Sequence, residues 1–313
     1  MIERGSRRRR VLGILGIGMP MLLVAAILGV SYYVADNFVG AGRWTHTLGT
    51  DPAALGLRYE NASFRTSDGL TLRGWWIAAD RPVGTVLLLH GWAHNRTDIL
   101  PQAPYLHAAG YDLLLFDFRS NGTSDGTVCT FGALEQRDLV AALDFAASRG
   151  HGGIAAIGYS MGAVAAIAVG SAESKTGPGP RLSAIVADSA YATFDDLATR
   201  GFEQEAHLPL PPFPFVPLAL LMSRLETGAA PVQPVDIVAR FAPRPILLVS
   251  GSNDTLVPPS QADRLAEAAG QPRETLRIDG AGHPSSPVGG PFRVDPARYE
   301  ARVLAFLHGA LGP

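Results

Sequence analysis

Apolar residues are spread along this chain in two different ways. Near the N-terminus they form one long block, with Val11 to Ala35 running 25 residues without a charged side chain. A helix of that length rises about 37 Å, enough to cross a hydrocarbon core of about 30 Å with some tilt. Pro20 is expected to kink it, which membrane helices tolerate. From Tyr59 onward the apolar residues come instead in short runs. Asn61 to Thr66 and Leu70 to Ala78, split by Ser67-Asp68-Gly69, predict a hairpin, because Asp-Gly is a strong turn signal. Gly84 to Leu89 and Tyr111 to Phe116 are near-continuous apolar runs, as strands buried on both faces require. Between them, Thr97 to Ala109 predicts a crossover helix, and helical periodicity returns in Leu134 to Ala147. Gly153 to Ile157, Leu182 to Ala187, Pro245 to Ser250 and Thr275 to Ile278 predict further strands, with a closing helix over Tyr299 to Leu307. An antiparallel start followed by alternating strands and helices predicts an α/β fold, with a mostly parallel, eight-stranded, doubly wound sheet.

Two stretches depart from this rhythm. Residues 36–58 are polar and glycine-rich without sustained periodicity, and are expected to be a linker. Leu208 to Met222 is apolar but too rich in proline for a regular strand or an early helix. It falls between two core strands, so an insertion over about residues 200–235 is expected above the carboxyl edge of the sheet. One reading of it is a packed connection. The other is a small cap lining an apolar acyl pocket and touching the membrane, since apolar patches often mark binding surfaces.

Composition narrows the class. At 313 residues and 47% hydrophobic, the chain has room for one large globular domain and an addition to it. The formal net charge of −2 hides an asymmetry: residues 1–10 hold five arginines and one glutamate, and without them 21 basic residues face 27 acidic ones. A body of charge −6 argues against a nucleic-acid surface. Cys129 is the only cysteine, which excludes an intrachain disulfide and a cysteine-based zinc site. His46, His107, His151, His207 and His308 show no ligand-like spacing, so neither a metal nor a cofactor is expected. The arginine cluster marks the cytoplasmic flank of the apolar block, and Tyr32 and Tyr33 fall where an interfacial aromatic belt belongs. These features predict a cytoplasmic N-terminus (residues 1–10), a membrane-spanning signal-anchor helix (11–35) and a body outside (59–313). A cleaved signal peptide is the rival reading, with Val39-Gly40-Ala41 as the cleavage pattern and a mature terminus near Gly42. The apolar block exceeds the usual length of a signal-peptide core.

The chemistry centres on Gly158-Tyr159-Ser160-Met161-Gly162. It follows the run ending at Ile157 and precedes the small-residue segment Ala163 to Gly170, which predicts a helix packed closely on the sheet. A Gly-x-Ser-x-Gly between strand and helix makes a tight turn that exposes the serine hydroxyl. Such a hydroxyl needs a base oriented by an acid, both placed later in the chain on loops after subsequent strands. Asp254, directly after the run ending at Ser250, and His283, after the last strand, meet that order. Asp188 is the rival acid, or a helix cap. Backbone N–H groups of Met161 and of Trp92, in Leu89-His90-Gly91-Trp92, are the expected oxyanion donors. His90 precedes the serine at a strand end and reads as a structural loop residue, and His94 as a surface residue bordering the pocket.

Taken together, His90-Gly91, Asp117 to Gly126, the Ser160 pentapeptide, Gly251-Ser252-Asn253-Asp254 and Gly282-His283 resemble the α/β-hydrolase family over about residues 59–313. With the N-terminal block added, the chain is similar to the membrane-anchored serine hydrolase branch and its bacterial relatives. In Asp117 to Gly126 such relatives usually carry a glycine after the arginine, where this chain has Ser120. The resemblance implies a carboxylic ester hydrolase acting on a small-molecule or lipid acyl ester, through Ser160, His283 and Asp254. Two alternatives stay open: a prolyl-oligopeptidase-like peptidase, for whose propeller residues 36–58 leave no room, and a membrane-tethered binding protein that has lost turnover.

Overall fold

Helix α1 (Glu3–Val39) leads into strands β1 (Glu60–Arg65), β2 (Thr71–Ile77) and β3 (Gly84–Leu89). After these come short helices α2 (Arg96–Ile99) and α3 (Ala103–Ala108), β4 (Tyr111–Phe116), α4 (Glu135–Arg149), β5 (Ile154–Tyr159), α5 (Met161–Ala172) and β6 (Leu182–Asp188). The chain continues through α6 (Phe194–Glu205), α7 (Phe215–Thr227), β7 (Ile246–Gly251), α8 (Pro259–Ala268), β8 (Arg273–Ile278), α9 (Pro291–Val294) and α10 (Pro296–Leu311). The computed structural model describes residues 3–40, 47–172, 182–205 and 211–312. Ala41, Gly42, His46, His207 and residues 208–210 of the proline-rich segment lie outside them.

The eight strands form one sheet in the order β1-β2-β4-β3-β5-β6-β7-β8, antiparallel across β1/β2 and β2/β4 and parallel elsewhere. The near-continuous apolar runs have a direct cause. Alternate residues of a strand point to opposite faces, and both faces are covered. Leu87, Leu89, Ala156, Ile246 and Leu248 pack into a core with α4, α5 and α8, whereas Val86, Leu88, Ala155, Leu247 and Val249 pack into a second core with α3 and α10.

Three expectations are corrected. The single crossover helix over Thr97 to Ala109 is broken, because Pro101 and Pro104 interrupt it and leave a 3-10 turn over Leu100–Gln102 between α2 and α3. The proline-rich segment becomes regular at Phe215: Pro217 sits in the first turn of α7, where the missing N–H has no helical partner to lose. The linker does not begin at residue 36. Helix α1 runs on to Val39, and its last turns are packed, with Ser31, Val34, Ala35 and Val39 all buried.

Candidate active site

Ser160 occupies the turn between β5 and α5 at φ 48°, a left-handed conformation that residues with a Cβ rarely adopt. Its N–H donates to the carbonyl of Asp188 at the end of β6 (2.8 Å), and its own carbonyl accepts from Val164 in α5 (3.1 Å). The flanking glycines make the turn possible. A Cβ on Gly158 would lie 2.4 Å from the Ala163 nitrogen, and one on Gly162 would lie 2.5 Å from the Leu89 carbonyl oxygen.

The loops after β7 and β8 close on each other. Ser252 N–H donates to the Ile278 carbonyl (3.0 Å) and Asn253 N–H to the Ala281 carbonyl (2.8 Å). That approach requires Gly251, where a Cβ would stand 2.3 Å from the Ala281 carbonyl oxygen. Its result is a bond of 2.7 Å between His283 Nδ1 and Asp254 Oδ2. The other Asp254 oxygen accepts N–H groups from Leu256 (3.0 Å) and Val257 (2.7 Å). A carboxylate only accepts, so Nδ1 carries the ring proton of neutral His283 and Nε2 is left as the basic nitrogen. Among the described residues, His283 takes its carboxylate from Asp254 and not from Asp188.

Ser160 and His283 line one cavity of about 880 Å³, together with Gly91 and Trp92 from the loop after β3. A Cβ on Gly91 would be 3.8 Å from that of Ser160, so this loop passes directly beside the serine. Met161 is the first residue of α5, where an N–H has no intrahelical acceptor and the helix dipole favours negative charge. The loop carrying Trp92 is tied down from behind. Asp117 accepts from Arg96 N–H (2.9 Å), Arg96 Nη1 (3.0 Å) and Thr123 N–H (2.9 Å). Gly122, at φ 50°, leaves room for that carboxylate, since a Cβ there would lie 2.1 Å from Asp117 Oδ2.

His90 is fully used inside the protein. Its Nδ1 lies 2.7 Å from the Gly91 carbonyl, its Nε2 accepts from Phe118 N–H (3.0 Å), and burial pushes its pKa down. His94 lines the cavity with its Nδ1 3.3 Å from Asp98 Oδ1. Cys129 is buried, with Sγ 3.3 Å from Met161 Sδ. Among the described residues, no group of three or more His, Cys, Asp or Glu side chains is arranged to hold a metal.

Sequence reasoning quoted Gly251 in a motif without foreseeing its close approach to Ala281, and it missed the part played by α1, whose Tyr33, Val34, Asn37 and Phe38 line the same cavity as Ser160. The Trp92 indole donates to the Phe38 carbonyl (2.9 Å), and Cys129 N–H donates to the Val39 carbonyl (2.8 Å). Phe131 stacks on Trp92 at 5.3 Å and meets Phe38 edge-on at 5.7 Å.

Asp188 has a different use from the one first weighed for it. It is fully buried, its Oδ1 accepts from Ser189 Oγ (2.9 Å), and burial pushes its pKa up to about 7. The folded state therefore binds a proton that the unfolded chain has released, and stability falls as pH rises from about 4 to about 7. Three pKa units correspond to roughly 4 kcal/mol at most. Asp188→Asn removes this loss, so thermal unfolding should show a larger gain over wild type at pH 8 than at pH 4. Equal gains at both pH values would refute it.

Residues 86–300 match the alpha/beta hydrolase family. The protein YqkD of Bacillus subtilis is 27% identical over 225 residues, covering 70% of each chain, and YfhR of Salmonella typhi is 27% identical over 266 residues, covering 81% of this chain and 80% of its own. Among solved structures, the Pyrococcus furiosus esterase Pf2001 superposes with a TM-score of 0.70 at 27% identity, covering 85% of this chain and 97% of that one. An esterase domain from Rhodothermus marinus shares the fold, with a TM-score of 0.57 at 21% identity, covering 82% of this chain and all of that one. With the family match spanning most of the eight-stranded sheet and the Ser160 turn, the chain belongs to the alpha/beta hydrolase family.

Proposed function

We propose that this hydrolase is a serine esterase that cleaves carboxylic esters through an acyl-enzyme on Ser160. The observation that carries this reading is the His283–Asp254 bond of 2.7 Å beside the cavity onto which Ser160 opens. The Ser160 Oγ attacks the acyl carbonyl as His283 Nε2 takes its proton, and Asp254 holds the ring and stabilises the imidazolium. Charge on the carbonyl oxygen is met by the N–H groups of Met161 and Trp92. The ester C–O bond breaks, the leaving alkoxide takes the proton from His283, and water then releases the acid by the same route in reverse. The likeness to Pf2001, itself an esterase, supports the ester as the bond attacked.

The apolar length of α1 supports a membrane anchor, and the arginine cluster ahead of it supports an N-terminus in the cytoplasm with the catalytic body outside. Packing supports retention of that helix: cleavage near Gly42 would withdraw Ser31, Val34, Ala35 and Val39 from the core and leave the Trp92 indole without its acceptor.

A fluorophosphonate probe should label the wild-type protein on Ser160 and leave Ser160→Ala unlabelled, as read by gel fluorescence and peptide mass. Labelling that survives the substitution removes Ser160 from its role. Folded wild-type protein that resists the probe and turns over no aryl ester points instead to a binding protein on this fold.

A further inference from the structure

We infer that the last two turns of α1 form the acyl wall of the substrate site, and that the substrate is a long-chain acyl ester taken from the bilayer in which α1 sits. This rests on Ser160 being the nucleophile. Three observations combine to support it.

The first is the face that α1 turns toward the protein. Ile27, Val30, Ser31, Val34, Ala35, Phe38 and Val39 follow a three-and-four spacing and pack on the body, whereas Leu28, Tyr32 and Tyr33 on the other side of the same turns are exposed, and Met19, Met21, Leu22, Leu23 and Val24 before them are exposed all round the helix. A helix with apolar side chains on both faces is stable where one face meets protein and the other meets lipid. The second is height. From Arg10 to Tyr33 the helix rises about 35 Å, just beyond a hydrocarbon core of about 30 Å. Tyr32 and Tyr33, 58% and 66% exposed, then stand at the headgroup level, and the turns that line the cavity (Val34, Asn37, Phe38) stand beside them. The cavity therefore lies at the bilayer surface and not at the end of a tether. The third is the cap. Helix α7 packs along α1 and leaves Leu221 and Leu225 exposed, as is Phe213 just before it. These side chains add to the exposed apolar surface of α1, and α6 lines the cavity itself through Leu197 and Phe202.

The cavity's size fits this class of substrate. At about 880 Å³ it lies near the upper end of small-molecule sites, which span roughly 300–1,000 Å³. A soluble short-chain ester would leave most of the wall made by Val34, Phe38, Leu197 and Phe202 unfilled. A chain drawn from the leaflet reaches that wall without entering water.

The test uses the full-length protein in phosphatidylcholine vesicles with p-nitrophenyl esters of four and twelve carbons. The quantity read is the ratio of kcat/KM for the twelve-carbon ester to that for the four-carbon ester. Val34→Trp fills the wall and should lower this ratio about tenfold, whereas Phe38→Ala opens it and should raise the ratio, the scale being that of one or two methylenes in an apolar pocket. Opposite movements cannot come from partial unfolding, which would depress both substrates together. Ratios within twofold of wild type in both variants, or a wild-type ratio below one in vesicles, would overturn the inference while leaving the Ser160 reading intact. Wild-type protein that cleaves neither ester would overturn the Ser160 reading and this inference with it.

Discussion

Ser160→Ala should lower kcat for an ester about 10⁴-fold or more, His283→Ala should lower it by a similar factor, and the double substitution should cost no more than the worse of the two. The reason is that, in the proposed mechanism, the two side chains act on one proton. Without the imidazole, the Ser160 hydroxyl is a poor nucleophile near neutral pH, and without the hydroxyl the imidazole has nothing to activate. Turnover that persists above the uncatalysed rate would then come from the Met161 and Trp92 N–H groups and from binding alone. Asp254→Asn belongs to the same set. Its amide would still fill the space, with an oxygen for the Leu256 and Val257 N–H groups, but it would present N–H toward His283 Nδ1 in place of the acceptor at 2.7 Å. That favours the wrong tautomer, with a loss of about 10⁴-fold by analogy with other enzymes of this chemistry. Single-turnover kinetics with an aryl ester would measure all four variants. Independent effects, multiplying in the double variant to the product of the single ones, would show that Ser160 and His283 do not work as a unit.

Much of this arrangement can be read in the chain, for physical reasons that also mark where reading stops. Strands covered on both faces need apolar residues at nearly every position, so β3 through β7 stand out as near-continuous runs such as Val86-Leu87-Leu88-Leu89. Tight turns leave glycine signatures, and the Ser160 turn could be placed from Gly158 and Gly162 once the strand before them and the helix after them were read. Asp254 and His283 could be paired with each other because the parallel order of β7 and β8 brings their loops to one edge. The role of α1 could not be read this way. Its protein-facing residues, Val34, Ala35 and Val39, are as apolar as its exposed ones, Leu22, Leu23 and Val24, so periodicity carries no information about which face meets what. Gly251 stood out in the sequence only as part of the Gly251-Ser252-Asn253-Asp254 motif, and the Ala281 carbonyl against it supplies the reason for a glycine there. The burial of Asp188 was also silent in sequence, because a strand-end aspartate looks the same whether it caps a helix, holds a histidine or lies buried in the core.

Gly162→Ala should destabilise the protein by on the order of 3 kcal/mol and lower kcat/KM at least a hundredfold, although it adds one methyl group at a helix position where alanine is intrinsically favoured. The new Cβ would lie 2.5 Å from the Leu89 carbonyl oxygen, 2.6 Å from the His90 carbonyl oxygen and 2.9 Å from the Leu89 carbonyl carbon. These are backbone atoms at the end of a central strand with neighbours on both sides, and no side-chain rotation can relieve the contact. Relief requires α5 and β3 to separate, and α5 and the loop after β3 carry the two N–H groups proposed to meet the oxyanion, at Met161 and Trp92. A shift of about 1 Å between such groups is enough for a hundredfold loss of rate. Gly309→Ala in α10 is the control: its Cβ would meet nothing within 4 Å, so helix propensity alone should raise stability by about 0.5–1 kcal/mol. Thermal unfolding and ester kinetics on the two variants separate the effects. If Gly162→Ala melted with wild-type protein and turned over esters at the wild-type rate, the close approach of α5 to β3 would not be what fixes the oxyanion donors.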